Sequence, residues 1–349
     1  MVKNKTEHLL VIRLSAMGDV AMTVPVLLAL TRTYPELKIT VLTRGFFAPI
    51  FSHIPNTAVY EADVKGIHKG LVGLFRLSKE LRKHPFTAVA DLHNVLRSSI
   101  LKILFLGTGL PFVQIDKGRK EKKALTRWKH KTIEPLITTH ERYAAVFQKL
   151  GYPVALTQND TLPKIAPTKR IQELLGDGSK KAIGIAPYAA FKGKMYPLSL
   201  LKELLQLLDN TNKYIIVLLG GGPREARELN ELGSRYANCI NGAGFLSFSE
   251  ELMLISNLDL VLSMDSGNAH LAAMFGVTTI TLWGVTHPFA GFYPFQQHPA
   301  NAFLADREQF PFIPTSVYGN KFPEGYEHAM DTISPNAVFL RIEAVLKPE

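Results

Sequence analysis

The densest run of residue types suited to a charged ligand is Asp259-Leu-Val-Leu-Ser-Met-Asp265-Ser-Gly-Asn-Ala-His270-Leu-Ala-Ala-Met-Phe-Gly276. An apolar strand ending at Asp265, a helix opening at Ser266 or Gly267 and a left-handed stop at Gly276 aim free backbone N–H groups out of a strand's carboxyl end, where phosphate is the natural guest. A plainer account makes Asp265 a helix cap and His270 a core histidine. Lys192 and Lys194 lie in a loop ahead of Pro197 and suit phosphate as point charges. Gly220-Gly-Gly-Pro-Arg-Glu225 follows another apolar run, and the Glu225 carboxylate can accept from vicinal ribose hydroxyls or simply compensate a helix dipole. Trp283-Gly-Val-Thr286-His-Pro288 reads as a further loop of the same kind. Near the start, Ser15-Ala-Met-Gly-Asp19 carries a carboxylate just after the first apolar run. If a regular helix starts after Thr23 with Pro25 in its first turn, Asp19 is left in the loop; if a helix starts at Gly18 and kinks at Pro25, Asp19 is a cap.

These loops need strands behind them. Leu9 to Leu14, then an amphipathic stretch to Thr33, then Lys38 to Leu42 is a strand, helix, strand pattern, and it recurs as Ala182 to Ala186, Pro197 to Leu208 and Tyr214 to Leu219. Such alternation, with a further strand read at Val277 to Leu282 ahead of the Trp283 loop, implies parallel sheets covered by helices, here in two doubly wound α/β domains. Asn159-Asp160, Pro163 and Pro167 break the periodicity, which places the boundary at 165/166. The stretch Gly291 to Glu327 reads as irregular, and a last helix runs from Pro335.

Composition narrows the chemistry. With 349 residues, 46% of them hydrophobic, the chain fills two cores, and a single cysteine, Cys239, excludes a disulfide framework and a cysteine-rich metal site. No apolar run reaches the length of a membrane span, and the opening run, interrupted by Arg13, is too short for a signal peptide, so a cytosolic location is expected. The net charge of +10 is uneven: residues 1–165 hold 25 Lys+Arg against 12 Asp+Glu, and the remainder 15 against 18. A contiguous share falls between Lys117 and Lys131, including Lys120, Lys122, Lys123 and Arg127, with Trp128 among them. Such a run attracts nucleic acid, anionic headgroups or phosphorylated glycolipid, or is a solvated loop. Walker, dinucleotide-fingerprint, zincin and nucleophile-elbow motifs are missing from the sequence, and so is Asp-x-Asp, the usual means of holding a sugar nucleotide through a metal.

Val11-Ile-Arg-Leu-Ser-Ala-Met-Gly-Asp19, Asp91-Leu-His-Asn-Val-Leu-Arg97-Ser98, Lys194-Met-Tyr-Pro197, Asp265-Ser-Gly-Asn-Ala-His270 and Leu282-Trp-Gly-Val-Thr286, in this order, resemble the ADP-heptose:lipopolysaccharide heptosyltransferases of glycosyltransferase family 9. The resemblance implies a GT-B fold: two Rossmann-like doubly wound parallel-sheet domains facing a cleft, acceptor on residues 1–165, nucleotide sugar on 166–334, and a terminal helix, 335–349, crossing back to the first. It implies inverting, metal-independent transfer of heptose from ADP-heptose to a lipopolysaccharide core acceptor, with no cofactor. It makes Asp19 the catalytic base, Lys194 a phosphate contact, Glu225 a ribose ligand, and Asp265, Ser266, Gly267 and His270, with Thr286, the donor site. For the anionic acceptor, Arg13, Arg97, Lys120, Lys122, Lys123 and Arg127 are the basic candidates, with Arg44 in reserve. Expected partners are the nucleotide sugar, the anionic glycolipid and the inner face of the inner membrane, and not nucleic acid. The sequence departs from the family at Tyr196, at His93-Asn94, at Ala189-Ala190 and in a Cys-free 310–325 stretch. Alternatives from other classes are a nucleotide-sugar epimerase on the same fold, and an anionic-membrane or nucleic-acid binding protein.

Overall fold

The computed structural model describes residues 7–347. Two compact units emerge: residues 1–117 with 137–162, and residues 118–136 with 163–349.

The first unit is built on five parallel strands, β1 (His8–Ile12), β2 (Lys38–Thr43), β3 (Thr57–Glu61), β4 (Ala88–Asp91) and β5 (Phe112–Gln114), in the order β3-β2-β1-β4-β5. β1 from Leu9 onward and all of β4 are buried, which is why they read as continuous apolar runs rather than alternating ones. Leu10 and Ile12 of β1 pack with Leu74, Leu77 and Leu81 of the helix Gly70–Leu81 and with Leu101 and Phe105 of the helix Leu96–Phe105. The second unit repeats the plan with β6 (Lys181–Ala186), β7 (Tyr214–Leu218), β8 (Cys239–Asn241), β9 (Leu260–Met264), β10 (Thr278–Trp283) and β11 (Ala302–Leu304), ordered β11-β10-β9-β6-β7-β8 and again parallel. Its core joins Ile183, Ile185, Leu260 and Leu262 to the leucine face of the helix Leu198–Asn210.

Both sheets reverse winding direction between their first and fourth strands, β1 beside β4 and β6 beside β9. Doubly wound sheets bind ligands at the carboxyl ends of the strands flanking that reversal. The motifs around Asp19 and Asp91 lie at one such point, and those around Lys194 and Asp265 at the other.

Two expectations about organisation change. Residues 118–136, assigned by sequence to the first domain, belong to the second unit. There Trp128 stacks on Phe312 at 5.6 Å, Lys122 sits over the Phe292 ring at 4.1 Å, and the Lys131 ammonium donates to the carbonyls of Phe312 and Pro314. The basic run is also not a loop, because Arg119–Thr126 is helical with Leu125 buried. The terminal helix, Pro335–Leu346, was expected to cross back to the first domain. Its buried Val338 and Ile342 instead join the second unit's core, and Glu343 pairs with Lys213 of that unit at 2.8 Å. Residues 348 and 349 of the expected helix lie outside the described residues.

Candidate active site

In the first unit the chain leaves β1 at Ile12, makes a short helix, Met17–Ala21, breaks at Met22 and Thr23, and resumes as Val24–Thr33 with Pro25 in its first turn. Both sequence alternatives are thus half realised: Asp19 is helical, and the break still falls before Pro25. The Thr23 hydroxyl does not cap the second helix but donates to the Val20 carbonyl at 2.7 Å.

Asp19 is held by two groups, one at its carboxylate and one at its backbone carbonyl. Arg13, 5% exposed, places a guanidinium nitrogen 2.6 Å from Asp19 Oδ2 and donates through its other terminal nitrogen to the Leu92 carbonyl at 2.6 Å. The Tyr143 hydroxyl, from the helix Thr139–Lys149, donates to the Asp19 carbonyl at 3.2 Å, and the Arg13 guanidinium lies 5.8 Å from the Tyr143 ring centre. The Leu92 carbonyl is itself set by Asp91, whose Oδ1 accepts from the backbone N–H groups of His93 and Asn94 while Oδ2 accepts from the Gln114 amide. A chain of contacts therefore runs from the end of β4 through Arg13 to a carboxylate that keeps 29% of its side chain exposed. Burial, reinforced by the charges of Arg13 and Lys117, pushes the nearby His93 down to about 3, so its imidazole is neutral at physiological pH.

In the second unit Lys194 Nζ lies 3.1 Å from Asp265 Oδ2, and the Thr286 hydroxyl donates to the same oxygen at 2.9 Å. The Lys194 and Asp265 side chains are 13% and 10% exposed, so the pair is sheltered and each member keeps the other's charge compensated. Ser266 is the N-cap of Gly267–Ala273; its hydroxyl is 3.0 Å from that of Ser263, and His270 is buried within the helix. Gly276, at φ 71°, makes the left-handed stop. The loops are fastened to one another. Gly193 accepts from the Val285 N–H at 2.9 Å, and Gly284 passes so close that a Cβ would sit 2.3 Å from the Gly193 carbonyl oxygen. Glu225 Oε2 accepts from the Gly221 N–H at 2.8 Å, which holds this carboxylate against the glycine turn after β7.

Residues 74–311 match glycosyltransferase family 9 (heptosyltransferase). The chain belongs to that family. Among its relatives, lipopolysaccharide core heptosyltransferase OpsX of Haemophilus influenzae is 26% identical over 81% of this chain and 80% of its own length. Lipopolysaccharide heptosyltransferase 2 of Escherichia coli is 25% identical over 98% of this chain and 99% of its own. Among solved structures, a family 9 glycosyltransferase from Veillonella parvula superposes with a TM-score of 0.75 at 20% identity, covering 99% of this chain and 98% of that one. E. coli heptosyltransferase WaaC with ADP gives 0.68 at 21%, covering 97% and 99%. The fold is therefore GT-B and the protein a glycosyltransferase, which sets the epimerase and binding-protein readings aside.

Within this family 9 glycosyltransferase the sequence-derived site residues divide in two. Lys194, Asp265 and Thr286 meet directly, with Ser266 and Gly267 following at once and Glu225 on a separate loop. Of the acceptor candidates, Arg97 is exposed in the first turn of Leu96–Phe105, while Lys120, Lys122, Lys123 and Arg127 belong to the second unit. Arg13 is committed to Asp19 and Leu92 rather than displayed to a ligand. Sequence reasoning missed Tyr143, Gln114 and Gly319. A Cβ on Gly319 would lie 2.5 Å from Lys194 Cγ, and its φ of 79° favours glycine, so this turn is what lets the chain close over the lysine stem. The signal for Asp91 was present, because a carboxylate ending an apolar strand two residues before a His-Asn pair suits a turn.

Proposed function

We propose that this glycosyltransferase moves heptose from ADP-heptose to a lipopolysaccharide core acceptor, with inversion at the anomeric carbon and without a metal. The acceptor hydroxyl attacks that carbon from the side opposite the diphosphate, Asp19 takes the hydroxyl proton, and the bond to the diphosphate breaks to release ADP. Arg13 engages Asp19 Oδ2, which fixes the carboxylate and leaves Oδ1 for the proton. Lys194 and the backbone N–H groups at Ser266 and Gly267 offset the charge that builds on the leaving diphosphate. Glu225 is the ribose ligand, and His270 and Thr286 complete the donor site. The curated relatives named above support the sugar and the acceptor, and the absence of Asp-x-Asp from the sequence supports neutralisation by lysine and amide groups. The work would take place at the cytoplasmic face of the inner membrane, where such an acceptor is built.

The observation that carries the reading is the partly exposed Asp19 carboxylate, held by Arg13 at the strand reversal of the first unit. Asp19→Asn should lower turnover by about 100-fold or more while ADP affinity stays within a few-fold, the scale expected for loss of a general base. Single-turnover kinetics and calorimetry with ADP check this together. Near-normal turnover would return Asp19 to a purely structural role.

A further inference from the structure

The helices Gly70–Leu81 and Leu96–Phe105 are the crossovers from β3 to β4 and from β4 to β5, and successive right-handed crossovers in that direction lie on one face of the sheet. The two helices pack side by side. Each spends one face on the core, Leu74, Leu77 and Leu81 on the first and Leu101 and Phe105 on the second. The opposite faces are apolar as well: Leu71 is 70% exposed, Val72 79%, Phe75 49%, Leu96 78% and Ile103 64%. Exposed apolar groups gathered like this on a soluble surface mark a contact site.

The charge around them says what the contact is. Between Val64 and Gln114 the sequence has eight Lys or Arg and two acids, Glu80 and Asp91. Asp91 is fully buried, and Glu80 accepts from the Tyr60 hydroxyl at 2.8 Å and is paired with His68 at 3.0 Å. Asp63, just upstream, is turned onto the backbone N–H groups of Gly66 and Ile67. Lys69, Arg76 and Lys79 border the apolar residues, the last with its ammonium 4.7 Å from the Phe75 ring centre. Lysine is depleted at protein interfaces, whereas large apolar side chains bordered by Lys and Arg are the pattern of helices lying in an anionic membrane surface.

We propose that these two helices are a membrane-docking face of the first unit, seating their apolar residues at the headgroup boundary of a bilayer rich in anionic lipid. Leu71, Val72 and Leu96 stand in the opening turns, which begin at the carboxyl edge of the sheet, the edge that carries Asp19. The face thus rests on the proposed transfer reaction for its purpose, delivery of a lipid-borne acceptor, but not for its detection.

Vesicle sedimentation tests it with neither acceptor nor sugar nucleotide present. The intact protein should bind phosphatidylcholine vesicles that contain phosphatidylglycerol and bind pure phosphatidylcholine poorly. Leu71→Ser with Val72→Ser and Phe75→Ser should weaken partition by about tenfold or more, because apolar insertion and charge attraction act together in such contacts. All three side chains face solvent, so the variant should melt with the wild type; Leu96→Ser with Ile103→Ser, on the neighbouring helix, should show the same loss independently. Lys69→Glu with Arg76→Glu should remove the preference for phosphatidylglycerol. Asp19→Asn should bind vesicles as the wild type does, which keeps failure of the catalytic reading distinct from failure of this one. Undiminished partition of both serine variants overturns the proposal. So does wild-type self-association without lipid that the serine variants abolish, since the face would then be a protein interface.

Discussion

At the scale of single residues, the decisive groups are charges that hold one another. Asp265 is an anion where an anionic diphosphate is proposed to bind, and it is tolerable there because Lys194 sits 3.1 Å away. Lys194→Ala therefore removes a cation and unmasks a sheltered carboxylate left with Thr286, two effects of the same sign. Charge-assisted bonds of this kind are worth about 1.5–3 kcal/mol, so ADP affinity should fall by roughly 10- to 150-fold. Lys192 is exposed, and its replacement by Ala should change affinity by far less. Calorimetry with ADP on both variants checks the order; a larger loss for Lys192→Ala would mean that the loop presents the other lysine. The Lys194 candidate was visible in sequence because loop lysines beside a glycine-opened helix suggest phosphate. Asp265 was visible too, but their pairing was not, since about 70 residues separate Lys194 from Asp265 and only the adjacency of β6 and β9 brings them together.

At the scale of elements, local rules explain starts and stops well. The helix Phe248–Ser256 opens with a capping box, Ser247 Oγ accepting from the Glu250 N–H and Glu250 Oε2 accepting from the Ser247 N–H. The next residue, Glu251, is different: burial pushes its carboxyl up from 4.5 to about 7. Between those values the folded chain holds the proton that the unfolded chain has lost, so this group lowers stability as pH rises from 4.5 to 7, and the whole cost is present above 7. Glu251→Gln should leave stability at pH 4 little changed and raise it at pH 8 by on the order of 2 kcal/mol, or about 4 °C in melting temperature. Equal melting shifts at the two pH values would show that Glu251 reaches solvent in the folded protein. The strands β1, β2, β6, β7 and β10 and the last helix were legible for a related reason, being long apolar or strongly periodic runs. Short edge strands such as β5 and β11, half-buried and three residues long, carry too little pattern to be read.

At the scale of the whole molecule, a charge run announces its sign but not its neighbours. Residues 118–136 were grouped with the first domain by position in the chain, yet Lys122, Trp128 and Lys131 attach them to the second unit, through contacts with Phe292, Phe312 and Pro314 that no local pattern encodes. Reassigning them redraws the electrostatics. The first unit holds 17 Lys+Arg against 10 Asp+Glu, net +7, and the second 23 against 20, net +3, in place of +13 and −3. The first unit remains the more basic, now through residues that include the border of the apolar helix pair, while the run becomes a local positive patch on the second unit. Such a patch acts at a distance: exposed charges attract an anionic acceptor over about 8 Å at physiological ionic strength and are screened beyond it. Changing Lys120, Lys122, Lys123 and Arg127 together to Gln should raise the KM for an anionic glycolipid acceptor several-fold at low salt, by roughly the effect of lost steering, and the difference should fade as salt rises. ADP affinity should not move, because Lys194, Asp265 and Thr286 close on one another without help from the run. Acceptor KM for wild type and variant at two salt concentrations, with donor saturating, is the measurement. Equal KM values at low salt would make the run a solvated helix, and would leave acceptor attraction to the first unit's own surplus, with Arg44 and Arg97 the next residues to change.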